Sequence, residues 1–201
     1  MLIKNAQGGF SLAEMLMAML ISSMMIVSVA AMYPALQRQS LTLYRLYRLE
    51  QTMGQVLMAI AKDLRRAGFL FKEGKERVSE ALFIGQHSQS VAGSCLIIRY
   101  DLNHNGVIDS VDSATSEHFA YRWLNNSIEQ HRSAKDCQGN GWEKLLDPAE
   151  IVITHFSVRS GGHSLNSAGK QTAYYLIVLE GHWKRWSSVK RRLTLRVRGV
   201  R

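Results

Sequence analysis

The chain has 201 residues, 46% of them apolar and 20% charged, which suits one domain with a core plus an appendage and excludes wholesale disorder. Fifteen glycines and two prolines exclude a collagen-like or linker-dominated chain. The net charge of +9 invites nucleic acid or an anionic membrane, but it is unevenly spread: residues 181–201 carry eight bases and no acid, residues 101–150 nine acids and four bases.

Residues 1–9, MLIKNAQGG, form a polar leader with one positive charge, Lys4. Residues 10–32 follow with Glu14 as their only charge. As a helix rising about 1.5 Å per residue, they reach roughly 35 Å, enough to cross a bilayer. Lys4 ahead of the span predicts a cytoplasmic leader, with the rest of the chain beyond the membrane. A cleaved secretory signal, cut after Ser28-Val29-Ala30, and a plain signal anchor both leave Glu14 unexplained. A carboxylate at the centre of a span costs about 2.5–3.5 kcal/mol.

Gly8-Gly9-Phe10-Ser11-Leu12-Ala13-Glu14, ahead of that span, resembles the class III leader of type IV pilin-like proteins. The resemblance implies cleavage after Gly9 by prepilin peptidase on the cytoplasmic face and N-methylation of Phe10. Glu14 would then be the fifth residue of the mature chain. Its carboxylate would pair with the ammonium group of a neighbouring subunit's Phe10 and set the register of a growing filament. Side-chain-free glycines let the backbone enter a protease cleft, and a carboxylate in hydrocarbon needs a partner. The bland alternative makes Glu14 a polar residue near enough to the interface to reach water.

Pro34 marks a kink or the exit from the membrane. A helical repeat resumes beyond it, with Leu36, Leu43, Leu57 and Leu64 on one stripe and Leu46, Met53, Ile60 and Ala67 beside them. This predicts an amphipathic helix over 34–68, ending near Gly68 and packed on its own domain's sheet, with an intermolecular coiled coil as the alternative. Strands are predicted at 81–84, 95–100, 119–123, 151–157, 173–180 and 192–197, with 160–169 a surface loop. The result is an α+β domain over 69–201. It is also the pilin-like layout, a long N-terminal helix packed by its second half on antiparallel sheet. The tract Asp63-Leu64-Arg65-Arg66-Ala67-Gly68-Phe69 further resembles minor pilins and pseudopilins of the J/W type.

Cys95 and Cys137 are the only cysteines, and an oxidising compartment favours a disulfide between them over a buried or partner-seeking thiol. Asp101, Asn103, Asn105, Val107, Asp109 and Asp112, with Gly106 at the sixth place, have the spacing of a calcium loop of the dockerin-like kind. The competing reading is an Asn105-Gly106 hairpin rich in turn formers. Catalytic patterns are weak. Ser187-Ser188-Val189-Lys190 is a chance-level S-x-x-K, and the seven histidines show no metal spacing, so no enzyme is expected. In the basic tail, Arg192, Thr194, Arg196 and Arg198 alternate with apolar residues, while Trp183 and Trp186 flank Lys184-Arg185. Protection of an edge strand, contact with anionic lipid and an acidic partner subunit all rank above nucleic acid.

The resemblance thus implies a minor pilin-like subunit that primes or caps a type IV pilus-like filament. Its partners would be prepilin peptidase, other minor and major subunits, and the cytoplasmic (inner) membrane. It would be a single-pass protein with a periplasmic domain, at the tip or base of a filament once assembled. The alternatives are a type II secretion pseudopilin and a membrane-anchored calcium-dependent binding module.

Overall fold

The computed structural model describes residues 9–71, 80–165 and 171–198 and divides the chain into two units, residues 1–44 and 45–201. Gly8 and the rest of the leader before Gly9, residues 166–169 of the predicted loop, and Arg201 lie outside the described residues. One helix, α1 (Leu12–Arg66), runs through Pro34 as a single element. Its described residues in the first unit are all exposed, and it is apolar and long enough to cross a membrane.

In the second unit α1 buries one face. Leu49, Met53, Val56, Leu57, Ile60, Ala61 and Leu64 recur at helical spacing and are inaccessible or nearly so. Four of the eight predicted stripe residues lie on this face, and Leu46 and Ala67 are half-buried beside it. Leu36 and Leu43 belong to the first unit and are exposed, so the predicted stripe is interrupted where the domain begins. The helix ends at Arg66 and Gly68 takes φ +76°, a left-handed turn that glycine adopts without penalty. Gly68 N–H then donates to Arg99 O at 2.8 Å and turns the chain toward the sheet.

Eight strands follow: β1 (Leu82–Gly85), β2 (Cys95–Arg99), β3 (His118–Leu124), β4 (Ser127–Arg132), β5 (Glu143–Lys144), β6 (Ile151–Leu165), β7 (Gln171–Trp183) and β8 (Lys190–Arg198). The first five form one antiparallel sheet in chain order, and the last three form a second. Backbone bonds from Val158 to Gly93 and from Ile153 to Asn126, both 2.8 Å, stitch β6 to loops of the first sheet. The helix face meets apolar residues of both sheets, among them Leu96, Ile98, Phe156, Ile177 and Leu179, in one core. The fold is therefore α+β, a long helix packed on antiparallel sheet.

Two expectations are corrected. Sequence reading passes over β4 and β5, because β4 has one apolar residue, Ile128, in Ser-Ile-Glu-Gln-His-Arg. Its signal lies in the turn before it. Asn125 and Asn126 have φ of 49° and 60° and join β3 to β4 as a two-residue hairpin of the kind asparagine tolerates. Residues 160–165 of the predicted loop are strand: β6 continues to Leu165 and pairs with β7 from Gln171. Gly161-Gly162 forms a bulge between Ser160 and His163, with Gly162 at φ +87°. A side chain at Gly161 would strike the Tyr174 ring. Those glycines admit a neighbouring ring and a bend in the strand.

Candidate functional site: the processing junction and the polar anchors behind it

The described residues open with Gly9 and Phe10, outside any regular element and exposed, Phe10 to 87%. Ser11 caps the helix: its Oγ accepts the Ala13 N–H at 3.3 Å, while Glu14 Oε2 accepts the Ser11 N–H at 2.9 Å. This reciprocal pair is a capping box, which satisfies two N–H groups that the first helical turn leaves unpaired. It also gives a carboxylate at the head of an apolar helix a partner within the chain, since Glu14 bonds its own backbone. The S-x-x-E spacing was visible in the sequence but was read only for its charge. Gly9, the expected residue before the cut, has open space around its Cα and lies three residues ahead of Leu12.

The Asp101 loop is held by backbone amides. Asp101 is 1% exposed. Its Oδ1 accepts Asn105 N–H, and its Oδ2 accepts those of Gly106 and Phe71 at 2.9 and 3.0 Å. Burial works against its ionisation, but these bonds, with that of His104, outweigh it and hold the carboxyl below its ordinary range. Asn103 Oδ1 accepts Asn105 N–H, and Asn105 Oδ1 accepts Val107 N–H; Asn103 Nδ2 donates to Asp109 Oδ2 at 2.9 Å. The buried Glu117, which the sequence did not single out, accepts from Leu102, Asn103 and Asp109. Asp112 makes no hydrogen bond or ion pair among the described residues. No group of three or more His, Cys, Asp or Glu there is arranged to hold a metal ion. Asp101, Asn103 and Asn105 thus accept backbone amides of the loop and of Phe71, while Asp109 is held by the Asn103 side chain. His104 and Gly106 take φ of 62° and 81°, while residues 100–117 between β2 and β3 contain no strand, so the loop turns without the strand pair of an Asn105-Gly106 hairpin.

Cys95 and Cys137 form a disulfide. It belongs to a second apolar cluster, with Ile97, Ala120 and Ala134, on the face of the first sheet away from the helix. Beside it, Arg122 Nε meets Glu129 Oε2 at 2.8 Å with both side chains almost wholly buried. Arg122 Nη1 also donates to the carbonyls of Cys137 and Gly139, so this ion pair fixes the loop that carries Cys137. A third anchor joins helix to sheet. Asp63, 9% exposed, accepts the Tyr100 hydroxyl at 3.1 Å and that of Tyr121 at 2.6 Å. Burial first, then the Asp63 charge, pushes Tyr100 up to about 12 and raises Tyr121 further, so both remain protonated donors. Ser187, in the exposed β7–β8 turn, and Lys190, at the start of β8, are the chance S-x-x-K pair, and their side chains make no hydrogen bond or ion pair among the described residues.

Two family models match the chain. The prokaryotic N-terminal methylation motif covers residues 4–30, and prepilin peptidase-dependent protein B covers residues 42–199. The chain belongs to the prepilin peptidase-dependent protein B family. It is 37% identical to the protein of that name from Escherichia coli K12, over 75% of this chain and 76% of the relative. It is 28% identical to an uncharacterized protein of Haemophilus influenzae Rd, over 53% of this chain and 63% of the relative. No solved structure matches. The methylation motif falls within the first unit, and the family's own pattern begins three residues before the second and covers nearly all of it. As a member of this family, the chain has the leader and membrane-capable helix of a pilin-like protein.

Proposed function

We propose that this chain is a minor pilin-like subunit that primes or caps a type IV pilus-like filament and acts through assembly, without turnover. The observation that carries the reading is the methylation motif running without a break into an apolar helix whose first turn holds Glu14. Prepilin peptidase would cut after Gly9 and the new terminus at Phe10 would be methylated. Residues 10–33 would hold the subunit in the cytoplasmic membrane, with residues 69–201 on the periplasmic side. On docking, Glu14 would meet the ammonium group of a neighbouring subunit and fix its register. The domain of residues 45–198 would supply the surfaces that choose neighbouring subunits.

Co-expression with prepilin peptidase, followed by intact mass, tests the processing. Loss of residues 1–9 plus one methyl group is expected; an unchanged mass or a cut after Ala30 overturns it. The J/W-type tract at Asp63–Phe69 fits a type II secretion pseudopilin as well. Cross-linking in cells separates the two by whether pilus or secretion subunits are recovered. A Glu14→Ala chain should insert and be cleaved yet stay out of filaments.

A further inference from the structure

Among the described residues, the turn between β7 and β8 is an exposed place where tryptophan and several cations meet beside the start of the second unit. Residues 184–188 are all exposed. Trp183 is buried and its Nε1–H donates to Arg45 O at 2.7 Å, which ties the turn to the first residue of that unit. Trp186 packs edge-on against Trp183, is 39% exposed, and carries the Arg45 guanidinium 3.6 Å from its ring centre. Arg48 lies 5.6 Å from the Trp183 ring, and Lys184 Nζ reaches Pro148 O at 3.4 Å.

The acids nearby are already engaged. Glu150 is paired with Arg48 at 3.1 Å, and the Asp147 carboxylate accepts the Ala149 N–H at 2.8 Å. Arg185 and Lys190 have no ion pair among the described residues. What is left is a positive patch with an indole in it, the chemistry found where proteins meet a headgroup layer. The chain also limits where such a layer is. Tyr33, at the end of the apolar stretch, precedes Arg45 by twelve residues of the same helix, a rise of about 18 Å.

We propose that this turn, through Trp186, Lys184 and Arg185 with Arg45 beside them, rests on the anionic headgroups of the membrane that holds the unassembled subunit. The inference rests on the anchored reading above and adds a second contact to it. Each contact is weak alone, and the span raises the local headgroup concentration enough to make it count. Joining a filament would then release the patch from lipid.

The full chain is inserted into nanodiscs of phosphatidylcholine, with or without phosphatidylglycerol, containing a headgroup-spin-labelled lipid. Quenching of tryptophan fluorescence should rise about twofold with the anionic lipid. The rise should vanish in Lys184→Gln/Arg185→Gln and in Trp186→Phe, and persist in Lys135→Gln/Lys144→Gln, which removes equal charge from the first sheet's side. Equal quenching in both lipids, or equal loss in both double variants, overturns the inference while leaving anchoring intact. So does Lys184→Gln/Arg185→Gln that keeps its quenching but no longer co-purifies with other pilin subunits; the patch would then serve a protein partner. A chain that never enters the discs overturns the anchored reading and this inference with it.

Discussion

The two sheets of the domain use charge in opposite ways. The first is covered on both faces, by the helix on one and by the disulfide-bearing loop on the other, so Cys95, Leu96, Ile97 and Ile98 are all buried. Two of its charges, Arg122 and Glu129, lie inside and are paired with each other. The second sheet packs Leu193, Leu195 and Val197 toward the core. It turns Lys190, Arg192, Arg196 and Arg198 outward. Arg192 meets Glu180 at 3.2 Å on that exposed face, and Arg196 lies over Tyr174. A buried charge costs several kcal/mol unless it is met, so its partner is a condition of folding; an exposed charge is screened by water and stays open to an outside partner. The first sheet holds the domain together, and the second presents it.

The comparison breaks most visibly at the buried pair. Glu129→Ala leaves Arg122 buried without its counter-charge and should cost about 3–5 kcal/mol, whereas Glu180→Ala on the other sheet should cost at most about 1 kcal/mol. Thermal unfolding of the two variants side by side measures the contrast, and similar losses would show that burial does not divide the sheets. Next in size, Cys95→Ser with Cys137→Ser opens a closure of 42 residues and should cost about 3–4 kcal/mol, read by denaturant titration. Because the Arg122 bonds to Cys137 O and Gly139 O remain, the loop should stay docked, with slow amide exchange around Ala134.

A smaller effect tests the clasp between helix and first sheet. Tyr121→Phe removes one hydroxyl from the buried Asp63 and should cost about 1.5–3 kcal/mol; Tyr174→Phe on the second sheet should be nearly neutral. The smallest effect is on acidification. The folded Asp101 carboxyl titrates below its unfolded value of 3.8, so its contribution is complete above that value and fades as pH falls through the lower folded one. Amide exchange at Phe71 and Gly106 should therefore quicken selectively below about pH 4. Equal quickening in the β8 amides would point to general acid loosening instead.

How much of this was legible follows from where the information lay. β2 and β7 announce themselves by long apolar runs, and α1 by its helical repeat and terminal glycine. β4 was invisible because its buried face is built from Ser127 and Glu129, residues that count as polar until Arg122 is known to lie opposite. The Gly-Gly bulge in β6 looked like a loop because only a contact from Tyr174, far along the chain, tells a bend from an end. Glu117 was unreadable for the same reason. Nothing local links it to the three amides it gathers on the far side of the loop. The leader residues were legible because their chemistry is contiguous, and the helix cap at Ser11 and Glu14 was hidden only by a more conspicuous use of the same carboxylate.

That cap has a consequence for how a carboxylate can serve two masters. Glu14 bonds Ser11 through Oε2 alone, and Oε1 makes no hydrogen bond among the described residues. In the proposed assembly, a neighbour's ammonium would meet the second oxygen while Oε2 keeps the first turn capped. Glutamine would keep the reach to Ser11 without the charge, and aspartate the charge on a shorter arm. The side chain's length serves its own helix cap, and its ionisation would serve the proposed contact with the next subunit.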